Sequence, residues 1–349
     1  MSQTLEISSP PVAAPMSKGW LRSQSFDLGL ILGSAALPLL AACFFVSDPK
    51  IFTVILLADI WLLGYHHIFS TYTRLFFDTQ SLKNHKFLIW GLPPLVLVAV
   101  AALGFGVGTW LLISIYFYWQ WFHYARQSWG VAQAYKRKSK TGLTDHPALN
   151  QAIFYLLPVW GLLHRSHQNK NLFIGWEIKM IPVSALVVDV AAAAATIAVC
   201  GWVLTRLVLL YRGQLPMVHT LYMVSHFVIF YVSYIAIDNL NAGWLVINIW
   251  HNMQYIAFVW MFNNNRFKKG IDPKAKFLSY ISQKRKVWLY LLICWGLSAA
   301  AFSVLPYFTI LLPMVVLAQT INFHHYLVDG FIWKFNKSNP NIAEYLNLK

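Results

Sequence analysis

Residues 51–74 read IFTVILLADIWLLGYHHIFSTYTR. At a rise of about 1.5 Å per residue, a helix of this length crosses the roughly 30 Å hydrocarbon core of a bilayer. Yet the run holds an acid, Asp59, and two adjacent histidines, His66 and His67, and it ends on Arg74. Such groups are costly in hydrocarbon, so they must face other protein and find partners there. This one segment therefore predicts both a bundle of transmembrane helices and polar chemistry in its interior.

The rest of the chain repeats the pattern. Similar apolar runs lie at 28–46, 87–105, 109–133, 181–205, 217–236, 242–262, 286–304 and 307–333, with a shorter one at 151–164. Of the 349 residues, 58% are hydrophobic and only 11% are charged, too few to cover the surface of a soluble domain. The predicted fold is all-α: a polytopic bundle of about ten spans with both termini cytoplasmic. Residues 1–26 read as a disordered cytoplasmic tail, 27–335 as the transmembrane helical bundle and 336–349 as a second cytoplasmic tail.

The net charge of +15 fits this topology. With ten crossings, 22 of the 27 Lys and Arg residues fall on the cytoplasmic side, as the positive-inside rule requires. If 151–164 did not cross, the later loops would invert and the bias would collapse. Anionic lipid and topology thus account for the bases, and no nucleic-acid partner is needed. The expected location is a bacterial inner membrane.

Eight of the twelve histidines lie inside spans or at their ends: His66, His67, His123, His219, His226, His251, His324 and His325. Counting helical rise from the basic loops places His67, His226 and His325 about 10–15 Å below the cytoplasmic surface. Companions share their faces: Thr71 and Arg74 with His67; Gln120 and Gln127 with His123; Asn248, Asn252 and Tyr255 with His251; Asn322 and Asp329 with His325. A polar group near a histidine is what orients a metal-binding ring. We therefore expect His67, His123, His226, His251 and His325 as metal ligands, with His66 and His324 as further candidates. Asp329 and Asp59 are expected as ligands or supports, and Arg126 as a buried counter-charge at the reaction site. His85, His146, His164 and His167 read as surface residues, and His219 as an interfacial one. Many imidazoles with few carboxylates suit iron, zinc or copper rather than magnesium or calcium.

On these residues the chain resembles the broad class of membrane-embedded, histidine-rich non-haem iron enzymes, which includes lipid desaturases, hydroxylases and carotenoid-modifying oxygenases. The resemblance is one of architecture, since no HxxHH box occurs, and no residue role is carried across. It implies an oxidoreductase with a dinuclear iron centre acting on a lipid-soluble substrate. No nucleotide-binding fingerprint is present, so electrons would come from a donor protein. Two other functions fit intramembrane histidines: a transporter of protons or divalent metal ions, and a haem-binding electron-transfer protein.

Overall fold

A computed structural model describes residues 19–139, 147–303, 311–334 and 341–348. Residues 1–18, His146, the start of the 307–333 run, and residues 335–340 and 349 of the C-terminal tail lie outside the described residues. The described chain is helical almost throughout. Ten long helices follow in order: α1 (Gln24–Phe45), α2 (Pro49–Phe76), α3 (Phe87–Gly106), α4 (Thr109–Ser139), α5 (Pro147–Gln168), α6 (Ala185–Tyr211), α7 (Met217–Ala236), α8 (Leu240–Arg266), α9 (Lys284–Phe302) and α10 (Leu311–Ile332). Six of them, α1, α2, α3, α6, α7 and α9, are long and apolar enough to cross a membrane, so the chain is an integral membrane protein. The expected short segment 151–164 belongs to a longer helix, α5, of 22 residues.

α8 is the axis of the bundle. Buried residues make up 22 of its 27, including Asn248, His251, Asn252, Gln254 and Asn263. Such a helix would be expensive against lipid, because its amides and imidazoles need protein partners. By contrast α6 buries only five residues and presents apolar side chains to its surroundings. Gly243 marks where α8 crosses its neighbours most closely. A Cβ there would run into the Ser233 carbonyl and lie 2.6 Å from Arg165 Nη2.

Arg165, on the expected outer side, is 1% exposed. It donates to the carbonyls of Ser233 (2.8 Å), Asp238 (2.8 Å) and Ile237, and to Gln168 Oε1 (2.8 Å). It thereby satisfies carbonyls that the end of α7 leaves unpaired. A two-residue hairpin follows α5, with β1 (Leu172–Phe173) antiparallel to β2 (Trp176–Glu177). Its turn residue Ile174 has φ +48°, which β-branched residues rarely adopt, and its N–H is held by Asn241 Oδ1 at 3.0 Å.

Both tails depart from expectation where they are described. Residues 19–26, read as part of a disordered tail, are folded: Leu21 is 1% exposed, and the N–H groups of Leu21, Arg22 and Ser23 all donate to Asp27. Asp27 also accepts from Tyr135 OH at 2.8 Å. At the other end, Ile342–Tyr345 forms a helical turn whose Tyr345 carbonyl accepts from Asn265 Nδ2. The two ends meet: Asn347 Nδ2 donates to the Leu21 carbonyl at 3.0 Å, and Lys138 Nζ to the Asn347 carbonyl at 2.5 Å. Their polar composition reads as disordered, but buried Leu21, Ile342 and Leu346 anchor them to the helices.

The crossing at Gly243 yields a stability prediction. Gly243→Ala overpacks the α8–α7 contact and costs about 1–3 kcal/mol. Thermal unfolding in detergent should show a lowered midpoint, and an unchanged one would mean that the helices do not meet this closely.

Candidate metal centre

Four helices bring histidines together: α2 with His67, α4 with His123, α8 with His251 and α10 with His325. All four are buried. Donor atoms of His67, His123, His325 and Asp329 lie within 4.8 Å of one another. The His251 ring joins them, with its centroid 4.6 Å from that of His67 and 5.0 Å from that of His123. His67 Nε2 and His325 Nε2 approach to 2.7 Å. Nitrogens sharing one transition-metal ion at about 2.1 Å sit about 3 Å apart, so this spacing suits a common ion.

The arrangement follows from one pattern used four times. Three residues before each of these histidines stand Gly64, Gln120, Asn248 and Asn322, and four residues after them Thr71, Gln127, Tyr255 and Asp329. Residues three and four apart share a helix face. Contacts occur at each level: Gln120 with Asn248, the histidines with one another, and Thr71 with Tyr255 and Asp329. The four helices therefore run in the same direction, with an amide layer, a histidine layer and a hydroxyl–carboxylate layer stacked along them.

On α2 the register depends on the π turn Ile60–Gly64. Its i→i+5 bonding takes up one extra residue. Asp59 and His67, eight apart, then both face α8: Asp59 meets Asn248 and Asn252, and His67 meets His251 and Tyr255. An uninterrupted helix would have paired Asp59 with His66.

Asp329 shows how the lower layer works. Its Oδ1 accepts from Thr71 Oγ1 at 2.9 Å and from Tyr255 OH at 2.6 Å, and Trp333 Nε1 in turn donates to Tyr255 OH at 3.2 Å. Oδ2 has no partner and lies 3.8 Å from His325 Nε2. The supports fix the carboxylate and leave one oxygen free toward the histidines.

The free atoms give the test of fit. Buried and without any hydrogen-bond partner are His123 Nε2, His251 Nε2, His67 Nδ1, His325 Nδ1 and Asp329 Oδ2. Buried polar atoms are nearly always paired, and a cluster of buried imidazoles and a carboxylate without protein partners suits a cation. The buried His₃Asp group can hold a metal ion, and His251 is placed to join it.

The other expected site residues lie elsewhere. His226 is 0% exposed and both its ring nitrogens are engaged, Nδ1 with Ser128 Oγ (3.0 Å) and Nε2 with the Phe154 carbonyl (3.2 Å). His324 contacts the Leu88 carbonyl and Tyr72 OH in the same way. His66 bonds back to the Leu62 carbonyl and keeps a free Nε2 outside the four-donor group. Asp59 accepts from Asn248 Nδ2 (2.5 Å) and Asn252 Nδ2 (3.3 Å), so it supports α8 from the amide side. Arg126, expected as a buried counter-charge, is exposed beside Tyr155.

A cavity of about 270 Å³ opens on the amide side of the histidines. The four histidines form its floor, and hairpin residues Phe173, Ile174 and Trp176 line it as well. Tyr326 stacks on His123, with centroids 4.3 Å apart. Gly64 and Tyr326 had no sequence signal of their own; only the common offset of three residues before a histidine could have singled out the glycine. Comparison with protein-family models, with characterised proteins and with solved structures finds no match for the chain.

Two substitution sets separate the histidines. Thr71→Val and Tyr255→Phe each remove one support of Asp329 and should weaken metal binding about 10–100-fold. His226→Gln and His324→Gln should leave it unchanged. Equilibrium dialysis against zinc or iron reads the difference, and equal losses in both sets would show that the cluster is not the site.

Proposed function

We propose that this chain is an integral-membrane metalloenzyme of the non-haem iron oxidoreductase type, acting on a lipid-soluble substrate. The observation that carries the reading is the buried group of His67, His123, His325 and Asp329, whose donor atoms lie within 4.8 Å of one another, beneath a cavity that the histidines line. His67, His123, His251, His325 and Asp329 would hold the ion. Four imidazoles with one carboxylate suit iron, and also accept zinc or copper. Bound iron would supply electron exchange with oxygen and substrate. The protein's own part is to fix the donors, keep the cavity dry and leave its upper side open to substrate. This donor set would serve one ion.

Two observations favour this reading over its alternatives. The cavity stops at the histidine layer: Thr71, Gln127, Tyr255 and Asp329 are not among its lining residues. A pocket that ends at the histidines suits turnover of a bound molecule better than passage of a solute. Haem between His67 and His325 is disfavoured by the 2.7 Å separation of their Nε2 atoms, which leaves no room for a macrocycle plane.

For topology we infer ten crossings with both termini cytoplasmic, in a bacterial inner membrane. The meeting of Leu21 with Asn347 supports an even number of crossings, with both described ends on one side. The 22 bases on that side orient it. Electrons would come from a donor protein on the same side.

Metal analysis of protein purified in detergent tests the assignment. Roughly one iron per chain is expected, lost in His67→Ala, His251→Ala and His325→Ala alike. The absence of any stoichiometric transition metal would refute it. Uptake of divalent ions into proteoliposomes, with no turnover of a lipid-soluble substrate, would favour the transporter.

A further inference from the structure

The amide layer above the histidines has a gap. Gln120, Asn248 and Asn322 fill three of its four positions, and Gly64 occupies the fourth. Glycine inside a helix is destabilising relative to alanine, so it needs a reason. Packing does not supply one: a Cβ at Gly64 would meet nothing closer than the Asp59 carbonyl at 3.6 Å and Asn252 Nδ2 at 3.7 Å. Backbone conformation does not either, because its φ is an ordinary helical −61°. The π turn that it closes favours glycine, as the turns Gly29–Gly33 and Phe87–Gly91 also end on it, but does not require it, since the π turn Val232–Ala236 ends on alanine. What glycine leaves at this position is space, and the space belongs to the cavity over His67, His123, His251 and His325.

The walls around the gap differ in character. On the α2 side stand Ile60, Tyr65, Ile68 and Phe302, with Tyr65 and Phe302 stacked at 3.6 Å. Across from them α10 presents Gln319 and Asn322, joined to each other only by a long 3.4 Å hydrogen bond. By contrast Gln120 is committed, donating to Tyr116 OH and accepting from Trp244 Nε1, both at 2.8 Å. The amides with capacity to spare are therefore those of α10, one and two turns above His325. The cavity is of ring size, apolar on one side and hydrogen-bonding on the other.

We propose that Gly64 is the notch in which a flat, ring-sized amphipathic molecule of the phenol or quinol class sits over the histidine layer, with its hydroxyl or carbonyl edge held by Asn322 and Gln319. The side chain at position 64 then sets which substrates fit. This rests on the metalloenzyme reading for its meaning but not for its measurement, because binding can be followed without metal. Ala318, also in the lining, narrows the same space from α10 when enlarged.

The probes are 2-naphthol and its apolar counterpart naphthalene, titrated against the full-length protein in detergent, metal-free and metal-loaded. Quenching of tryptophan fluorescence reports binding, since Trp176 and Trp244 line the cavity. We expect saturable binding of 2-naphthol and at least about tenfold weaker binding of naphthalene. Gly64→Ala should weaken 2-naphthol about tenfold, Gly64→Leu should abolish its binding, and Asn322→Leu should bring it to the level of naphthalene. Metal content and thermal midpoint should hold in Gly64→Ala and Ala318→Val, and Ala318→Val should weaken binding as Gly64→Ala does. The proposal is overturned if naphthalene binds as well as 2-naphthol, or if Gly64→Ala and Ala318→Val both fold, keep metal and bind 2-naphthol like the parent. Loss of fold or metal in Gly64→Ala would overturn the role of the glycine as a notch. Stoichiometric metal without naphthol binding would remove this inference alone. Naphthol binding without any metal would remove the metalloenzyme reading and leave the notch.

Discussion

A nitrogen or oxygen with no partner cannot remain so in the middle of a membrane protein at low cost. Five such atoms belong to one cluster of side chains, on four helices of this bundle. In water each would find a solvent molecule; inside hydrocarbon the choice is another protein group or a guest. Thr71, Tyr255 and Trp333 could have satisfied the donors, yet they turn to Oδ1 of Asp329 or to one another and leave Oδ2 facing the histidines. The surrounding hydrogen bonds hold the donor set in shape.

This constraint explains the direction of the helices. Layers of like chemistry form only if the histidine-bearing helices are parallel, because antiparallel partners would set an amide level against a hydroxyl level. Parallel neighbours in a membrane bundle need an intervening crossing, and here α3, α9 and the other apolar helices provide returns. The division of labour follows. Lipid-facing helices such as α6 carry almost no buried surface, while α8 is buried along its length and concentrates polar side chains.

The sequence discloses the helices and the lines of polar residues on α2, α4, α8 and α10, because both depend on local period. It does not separate His251 from His226, since both are buried imidazoles on long helices. The difference is the neighbour across the interface: Ser128 and the Phe154 carbonyl satisfy His226, and nothing satisfies His251 Nε2. Arg126 fails for a related reason. Its place three residues after His123 suggests burial, but the side chain ends exposed beside Tyr155. The choice of His67 over His66 depends on the π turn Ile60–Gly64, whose extra residue leaves no mark in an apolar pattern.

Charge offers an independent reason to expect a cation. The two acids nearest the histidines are Asp329 on one side and Asp59 on the other, both buried. Asp59 is held by amides alone, Asn248 and Asn252, and no ion pair to it is found among the described residues. Arg74 spreads its charge over Trp333 and Phe262, at 3.8 and 4.2 Å from their ring centres, on the far side of Asp329. Amides orient a carboxylate but do not neutralise it, and two buried carboxylates without a shared counter-ion are unfavourable at low dielectric. A divalent ion among the histidines would sit between the two acids and interact favourably with both. The unpartnered nitrogens and the flanking carboxylates thus make separate demands, one for coordination and one for positive charge, and a metal ion would meet both.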